Sequence, residues 1–242
     1  MLDNGIPCIK HHFFISPANL KYLGREGNWQ KMLKLLKKYK KVVCKPNEGS
    51  GGENVIIATN EQELEQAVST VFATSRGLAL CPFYEIEHEY RAIVLDGMVK
   101  LIFLKQTPFV IGNGKDNVLT LIAKSPNVLN VGEFDKTLDY QYIPFKNEIF
   151  RLNWKHNLGL GAAAKKVTDR RLISELSDLA LHTTEVLNTK FVSVDIVKVK
   201  NKYMIIEVNG GVSMGYFSSF SDKNQQLAKA IYKEALLLMF EK

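Results

Sequence analysis

Antiparallel hairpins interleaved with helices, without steady strand–helix–strand alternation, predict an α+β fold, in a chain long enough for one large domain or two small ones. Two observations carry the antiparallel part. Asp96-Gly97 stands between two apolar runs as a hairpin turn signal. "FVSVDIVKVKNKYMIIEVN" reads as two β-rich runs joined by a short polar turn. The helical part rests on capped, amphipathic stretches between these runs.

In chain order, Met32, Leu33, Leu35, Leu36 and Tyr39 recur at helical spacing and predict a helix near 28–40. Strand 42–46, a glycine loop and strand 54–59 follow. "NEQELEQAVSTVFA" reads as a helix capped by Asn60, with Glu63 at the capping-box position. Strands near 78–86 and 89–95 lead through Asp96-Gly97 into "MVKLIFLK". Residues 107–150 are mixed and loop-rich, with a short helix near 117–123. A long helix over roughly 169–188 precedes strands 191–199 and 203–209, and a C-terminal helix begins near 222.

The 242 residues are 46% hydrophobic and 24% charged, an ordinary globular composition. No apolar run approaches the ~20 residues that cross a bilayer, and "MLDNGIPCIKHHFF" lacks the basic-then-apolar layout expected of a signal peptide. Cys8, Cys44 and Cys81 are odd in number and widely spaced, which predicts free thiols in a reducing, cytoplasmic setting. Much of the +7 net charge lies in "KMLKLLKKYKKVVCK", with seven lysines in fifteen residues. Those lysines fill the solvated face of an amphipathic helix, and no aromatic-rich basic motif accompanies them, which argues against nucleic acid. The histidines have no zinc-site spacing; His156 stands out only as the neighbour of Asn157.

Two stretches carry chemistry. In "VCKPNEGSGGENVIIAT", Lys45 ends a strand and Gly49, Ser50, Gly51 and Gly52 follow. The lysine precedes the glycines and a strand comes next, so this is neither a Walker loop nor a dinucleotide fingerprint. Two uses remain: a plain glycine-rich hairpin, or a flexible loop whose N–H groups close over phosphates beside Lys45. In the second stretch, a turn on Lys200-Asn201-Lys202 would set Asp195 opposite Glu207. Asp195, Glu207 and Asn209 then share one strand face. Facing carboxylates repel unless a hard cation joins them, and carboxylate plus amide oxygen is what Mg²⁺ takes.

Five stretches in order resemble the ATP-grasp ligases across nearly the whole chain: "VVCKPNEGSGGENV", "CPFYEIEHEYRAIVLDGMV", "LKQTPFVIGNGKDNVLTLIAK", "LNWKHNLGLGAAAKKVTD" and "VDIVKVKNKYMIIEVN". The third and fourth resemble the ATP-grasp region of cyanophycin synthetase and related amino-acid ligases. The resemblance implies an ATP-grasp fold of two α+β subdomains, a lid over residues 1–83 with the glycine loop and a larger one over 84–242 with the metal site, that clasp ATP, and ligation of a carboxylate to an amine through an acyl phosphate. The substrate would be an amino acid or peptide. It implies that Lys45 and Gly49–Gly52 hold the phosphates, that Phe83 and Tyr84 border adenine, and that Glu89 takes the ribose. Asp195, Glu207 and Asn209 would hold one or two Mg²⁺. Lys155, Arg151 and Asn157 would steady the acyl phosphate, and Arg91, Lys100 and Lys105 would face phosphate or a substrate carboxylate. Lysine at 155, where relatives often have arginine, gives up the bidentate fork. Relatives also carry an N-terminal domain with a further phosphate-binding lysine. A partner subunit or second copy would replace it, or the chain is a nucleotide-binding module that regulates a partner.

Overall fold

The computed structural model describes residues 1–16, 18, 28–48, 52–125, 135, 138–158 and 162–240. The chain divides into two compact units, Ile9–Glu85 and a larger one of Met1–Cys8 with Ile86–Lys242. The first eight residues therefore group with the larger unit and not with those that follow them. The Ile205 N–H donates to the Pro7 carbonyl at 2.8 Å, Cys8 bridges Ile205, and Ile6 is buried in the larger unit's core.

The smaller unit holds β1 (His12–Ile15), α1 (Asn28–Tyr39), β2 (Val42–Pro46), β3 (Ile56–Ala58), α2 (Glu61–Thr74) and β4 (Gly77–Pro82). Its antiparallel sheet has the order β1-β4-β2-β3. Side chains alternate across a strand, so Phe14, Val42, Cys44, Leu78 and Leu80 share one face. They form a core with Met32 and Leu36 of α1 and Leu64, Ala67 and Val71 of α2. Phe13, Lys45 and Ala79 are cross-strand neighbours on the opposite face. The α2 cap forms as expected: Asn60 accepts from the Glu63 N–H at 2.9 Å, and the Glu63 carboxylate reaches back chiefly to the Thr59 N–H and hydroxyl, both at 2.7 Å.

The larger unit holds β5 (His88–Leu95), β6 (Met98–Gln106), β7 (Phe109–Ile111), α3 (Val118–Lys124), β8 (Ile149–Arg151), β9 (Ala163–Lys166), α4 (Arg170–Val186), β10 (Phe191–Val199), β11 (Lys202–Asn209), α5 (Gly215–Ser219) and α6 (Asp222–Phe240). Five strands form an antiparallel sheet, β11-β10-β5-β6-β9, while β7 and β8 pair separately. Tyr90, Ala92, Val94, Ile102, Val192, Val194 and Ile196 pack with Leu176 and Ala180 of α4. On the other face, Ile93, Leu101, Phe103 and Ala164 pack with Met214, Phe217, Ala228 and Ile231. Both faces of the sheet thus carry a helix layer. Asp96 and Gly97 have positive φ and close the β5–β6 hairpin as the sequence predicts. Among the described residues no helix is long and apolar enough to cross a membrane, and the three cysteines are free and buried.

One turn differs from expectation. Lys202 pairs with Val199, so the β10–β11 loop is Lys200-Asn201, both at positive φ. That shorter loop alone would put Asp195 out of step with Glu207. A β-bulge corrects it: Ile205 faces Ile196, Glu207 faces Asp195, and Ile206 is the extra residue.

His11 gives the smaller unit a pH dependence. Its Nδ1–H donates to the Ile9 carbonyl at 3.0 Å, and burial, then the Lys45 charge, push the imidazole from about 6.5 down to about 4. The unfolded chain binds the extra proton more readily, so the contribution is present above about 6.5 and is lost as pH falls toward 4. Denaturant titrations should show stability dropping over this window, with a smaller drop in His11→Gln. An unchanged slope in the variant contradicts this.

Candidate functional site

The face of the five-stranded sheet under α5 and α6 is apolar at one end and charged at the other. Ile93, Leu101 and Phe103 lie in the apolar core, and the Phe103 ring stacks on Phe217 at 5.1 Å between centroids. Antiparallel pairing sets Asp195 against Arg91, Arg91 against Phe103, and Glu89 against Lys105. Glu207 and Asn209 extend the same face, opposite Asp195 and Ser193.

Asp195 is 2% exposed. The Arg91 guanidinium donates to both its oxygens at 2.7 Å, a bidentate fork. The Lys105 ammonium donates to Asp195 Oδ2 at 2.8 Å and to Glu89 Oε1 at 2.5 Å. Burial alone would raise Asp195, but Lys105 and Arg91 more than offset it and hold the carboxyl below its usual range. Burial alone would lower Lys105, yet Glu89 and Asp195 hold it above its ordinary value, and Asp195 does the same for Arg91. Asp195, Lys105 and Arg91 are therefore ionised at neutral pH.

Carboxylate and amide oxygens suit a small hard cation such as Mg²⁺. Among the described residues, Glu207 and Asn209 make no side-chain hydrogen bond and Glu207 is exposed, so their oxygens are available. Asp195 faces Glu207 in register, which brings their Cβ atoms to ~4.5–5.5 Å. Its own oxygens, however, are committed to Arg91 and Lys105. No group of three or more His, Cys, Asp or Glu is gathered as a metal site among the described residues. Next along the strand face, the Ser193 hydroxyl is buried without a hydrogen-bond partner among the described residues.

A second segment is tied to the same strand. His156 is buried, and its Nδ1 lies 2.9 Å from the Lys105 carbonyl, which can only accept, so Nδ1 carries the proton. That bond places Lys155 and Asn157, both half-buried, on either side of an anchor to β6. Arg151 is exposed on β8. Lys100 does not join the cluster; it pairs with Glu234 of α6 at 2.7 Å.

In the smaller unit, Lys45 is half-buried and makes no hydrogen bond or ion pair among the described residues. Its charge is felt by His11 and Cys81. Gly52 has φ +73°, while Gly49, Ser50 and Gly51 lie outside the described residues. The Phe83 N–H donates to the Lys41 carbonyl at 3.0 Å, and the Lys41 ammonium sits 3.8 Å from the ring centroid. That amide is already committed; Tyr84 is half-buried. Sequence reasoning placed Arg91 and Lys105 on central strands but missed that both close on Asp195. Strand order links these distant residues, and no local pattern encodes it.

Residues 147–232 match the model of the RimK-like ATP-grasp domain. Cyanophycin synthetases of a Nostoc species and of Trichormus variabilis are each 27% identical over 190 residues, covering 70% of this chain and 21% of the relative. The chain therefore spans about a fifth of the length of these curated relatives. The D-alanine–D-alanine ligase of Bacillus anthracis superposes with a TM-score of 0.60 at 16% identity, covering 99% of this chain and 66% of that one. Its complex with ATP gives 0.55 at 14% identity, over 100% and 63%. The chain has the ATP-grasp fold.

The ion cluster sets a stability contrast. Asp195→Asn leaves half-buried Arg91 without its bonded counter-charge and buried Lys105 with Glu89 alone, and should cost about 3 kcal/mol. Glu207→Gln, at an exposed carboxylate, should stay within about 0.5 kcal/mol of wild type. Chemical denaturation measures both, and an Asp195→Asn variant as stable as wild type contradicts the cluster.

Proposed function

We propose that this protein uses ATP to join a carboxylate to an amine, with an amino acid or peptide as substrate and ADP and phosphate as products. The observation that carries this reading is one sheet face of an ATP-grasp fold on which Arg91 and Lys105 stand beside the oxygen donors Asp195, Glu207 and Asn209. In-line phosphoryl transfer needs positioned cations around the moving phosphoryl group more than it needs a protein nucleophile.

In this reading the substrate carboxylate takes the γ-phosphoryl group and ADP leaves; the amine then attacks the acyl carbon and phosphate leaves. Lys45 and Gly52, with Gly49, Ser50 and Gly51, bind the ATP phosphates. Lys45 suits this role as a half-buried ammonium without a hydrogen-bonded counter-ion among the described residues. Phe83 and Tyr84 border the adenine. Glu89 takes the ribose hydroxyls through Oε2, since Oε1 is held by Lys105. Lys105 and Arg91 meet charge developing on the transferred group, as do Lys155, Asn157 and Arg151. Glu207, Asn209 and Asp195 would hold Mg²⁺, which neutralises phosphate charge and orients the leaving group. The second reading is a regulatory nucleotide-binding module, favoured by the commitment of both Asp195 oxygens to protein cations.

Two measurements test the proposal. Calorimetry should show ATP binding that depends on Mg²⁺, weakened in Lys45→Ala by about 1.5–3 kcal/mol for the lost charge-assisted contact. No binding by wild type with Mg²⁺ present refutes it. ADP release with pools of amino acids and short peptides should then fall roughly 10²–10³-fold in Glu207→Gln, while nucleotide binding persists in part. Undiminished turnover rules out the metal role of Glu207; tight binding without turnover on any acceptor favours the module.

A further inference from the structure

Asp195, a metal ligand in the proposed function, is held by two cations of the protein itself. Three bonds from two cations hold the carboxylate: Oδ1 accepts from Arg91 at 2.7 Å, and Oδ2 accepts from Arg91 at 2.7 Å and from Lys105 at 2.8 Å, taking three of its about four lone-pair sites. The Asp195 side chain is 4% exposed and that of Lys105 is 7%, so water hardly competes for these bonds. A divalent cation reaching Asp195 must therefore compete with two positive charges already bonded to it. Those cations, once displaced, need another anion, because a buried guanidinium or ammonium without a counter-charge is costly. Glu89 holds Lys105 from the other side but makes no bond to Arg91. Glu207, across the strand pair from Asp195, exerts a favourable field on Arg91 without bonding it.

We infer that Arg91 and Lys105 form a counter-ion latch on Asp195 that shuts this ligand to divalent metal until an anionic substrate group draws the two cations away. This inference rests on the metal-site reading of Asp195, Glu207 and Asn209. In the nucleotide-free protein, only Glu207 and Asn209 face the cation, so it binds weakly. Phosphate oxygens give Arg91 and Lys105 a new partner and release Asp195 to the metal. Metal and nucleotide then enter as a coupled pair, each raising the affinity of the other by the same factor. Arg91, whose fork fills both oxygens, is the positioning residue that sets this coupling.

The test uses Mn²⁺ alone as probe, with free ion counted by electron paramagnetic resonance on the full chain without nucleotide. Wild type should bind weakly, and Arg91→Gln should bind at least about tenfold more tightly, since a charge-assisted bidentate bond no longer opposes the metal. Adding Asp195→Asn to Arg91→Gln should erase the gain. Lys166→Gln, which removes a positive charge from the exposed edge strand of the same sheet face, should change affinity less than about twofold, separating the latch from long-range field effects. ADP should raise the Mn²⁺ affinity of wild type far more than that of Arg91→Gln. Equal or weaker Mn²⁺ binding by Arg91→Gln overturns the inference, as does a gain that survives Asp195→Asn. If Arg91→Gln does not fold, Arg91→Lys keeps the charge but loses the fork; a several-fold gain supports the latch and no gain overturns it. Failure of wild type to bind ATP with Mg²⁺ would instead strike the ligase reading, and the nucleotide-free Mn²⁺ comparison separates the two.

Discussion

The grip of Arg91 and Lys105 on Asp195 is the interaction on which the charged face of the larger unit depends. It ties three central strands, β5, β6 and β10, by side chains as well as by backbone ladders. It also explains how strongly charged side chains sit in a sheet whose other face is apolar. A lone Asp195 at 2% exposure would be expelled or protonated. Two cations keep it ionised, and Glu89 balances the second cation.

The helices then decide where on the sheet that charge can be. α5 and α6 cover Ile93, Leu101 and Phe103, and the stacked pair Phe103–Phe217 marks the last apolar contact before the charged row begins. His156 fixes a loop to the Lys105 main chain and brings Lys155 and Asn157 with it. The bulge at Ile206 brings Glu207 into step with Asp195. Each device is local, and together they line up charged and oxygen-bearing side chains along one face.

Much of this was legible in the sequence where the signal is local. The Asp96-Gly97 turn, the Asn60 cap and the periodicity of α1, α4 and α6 depend on neighbours within a few residues, and the elements form where those signals fall. Phe109–Ile111, Ile149–Arg151 and Ala163–Lys166 carried no such signal. They are three or four residues long, and "AAKK" has no β-branched residue, so it is a strand only because the β6 edge pairs with it. The Asp195–Glu207 facing came from a presumed three-residue loop; the structure reaches it through a two-residue loop and a bulge. The acidic residues were visible as candidates, but their cationic partners were not, because Arg91 and Asp195 are 104 positions apart. Only strand order brings them together.

Phosphoryl transfer to a carboxylate is the central claim, and positional isotope exchange tests it most directly. ATP carrying ¹⁸O in the β,γ-bridge is incubated with the protein, Mg²⁺ and pools of amino acids or peptides, without a completing amine where the pool allows. A ligase that forms an acyl phosphate reversibly moves the label from the bridging to the non-bridging β-position only when the carboxylate substrate is present, and ³¹P spectra resolve the two. Scrambling that depends on the carboxylate and disappears in Glu207→Gln is the predicted result. ATP that binds tightly yet keeps its label in the bridge with every carboxylate pool would contradict ligation and leave a nucleotide-binding module in its place.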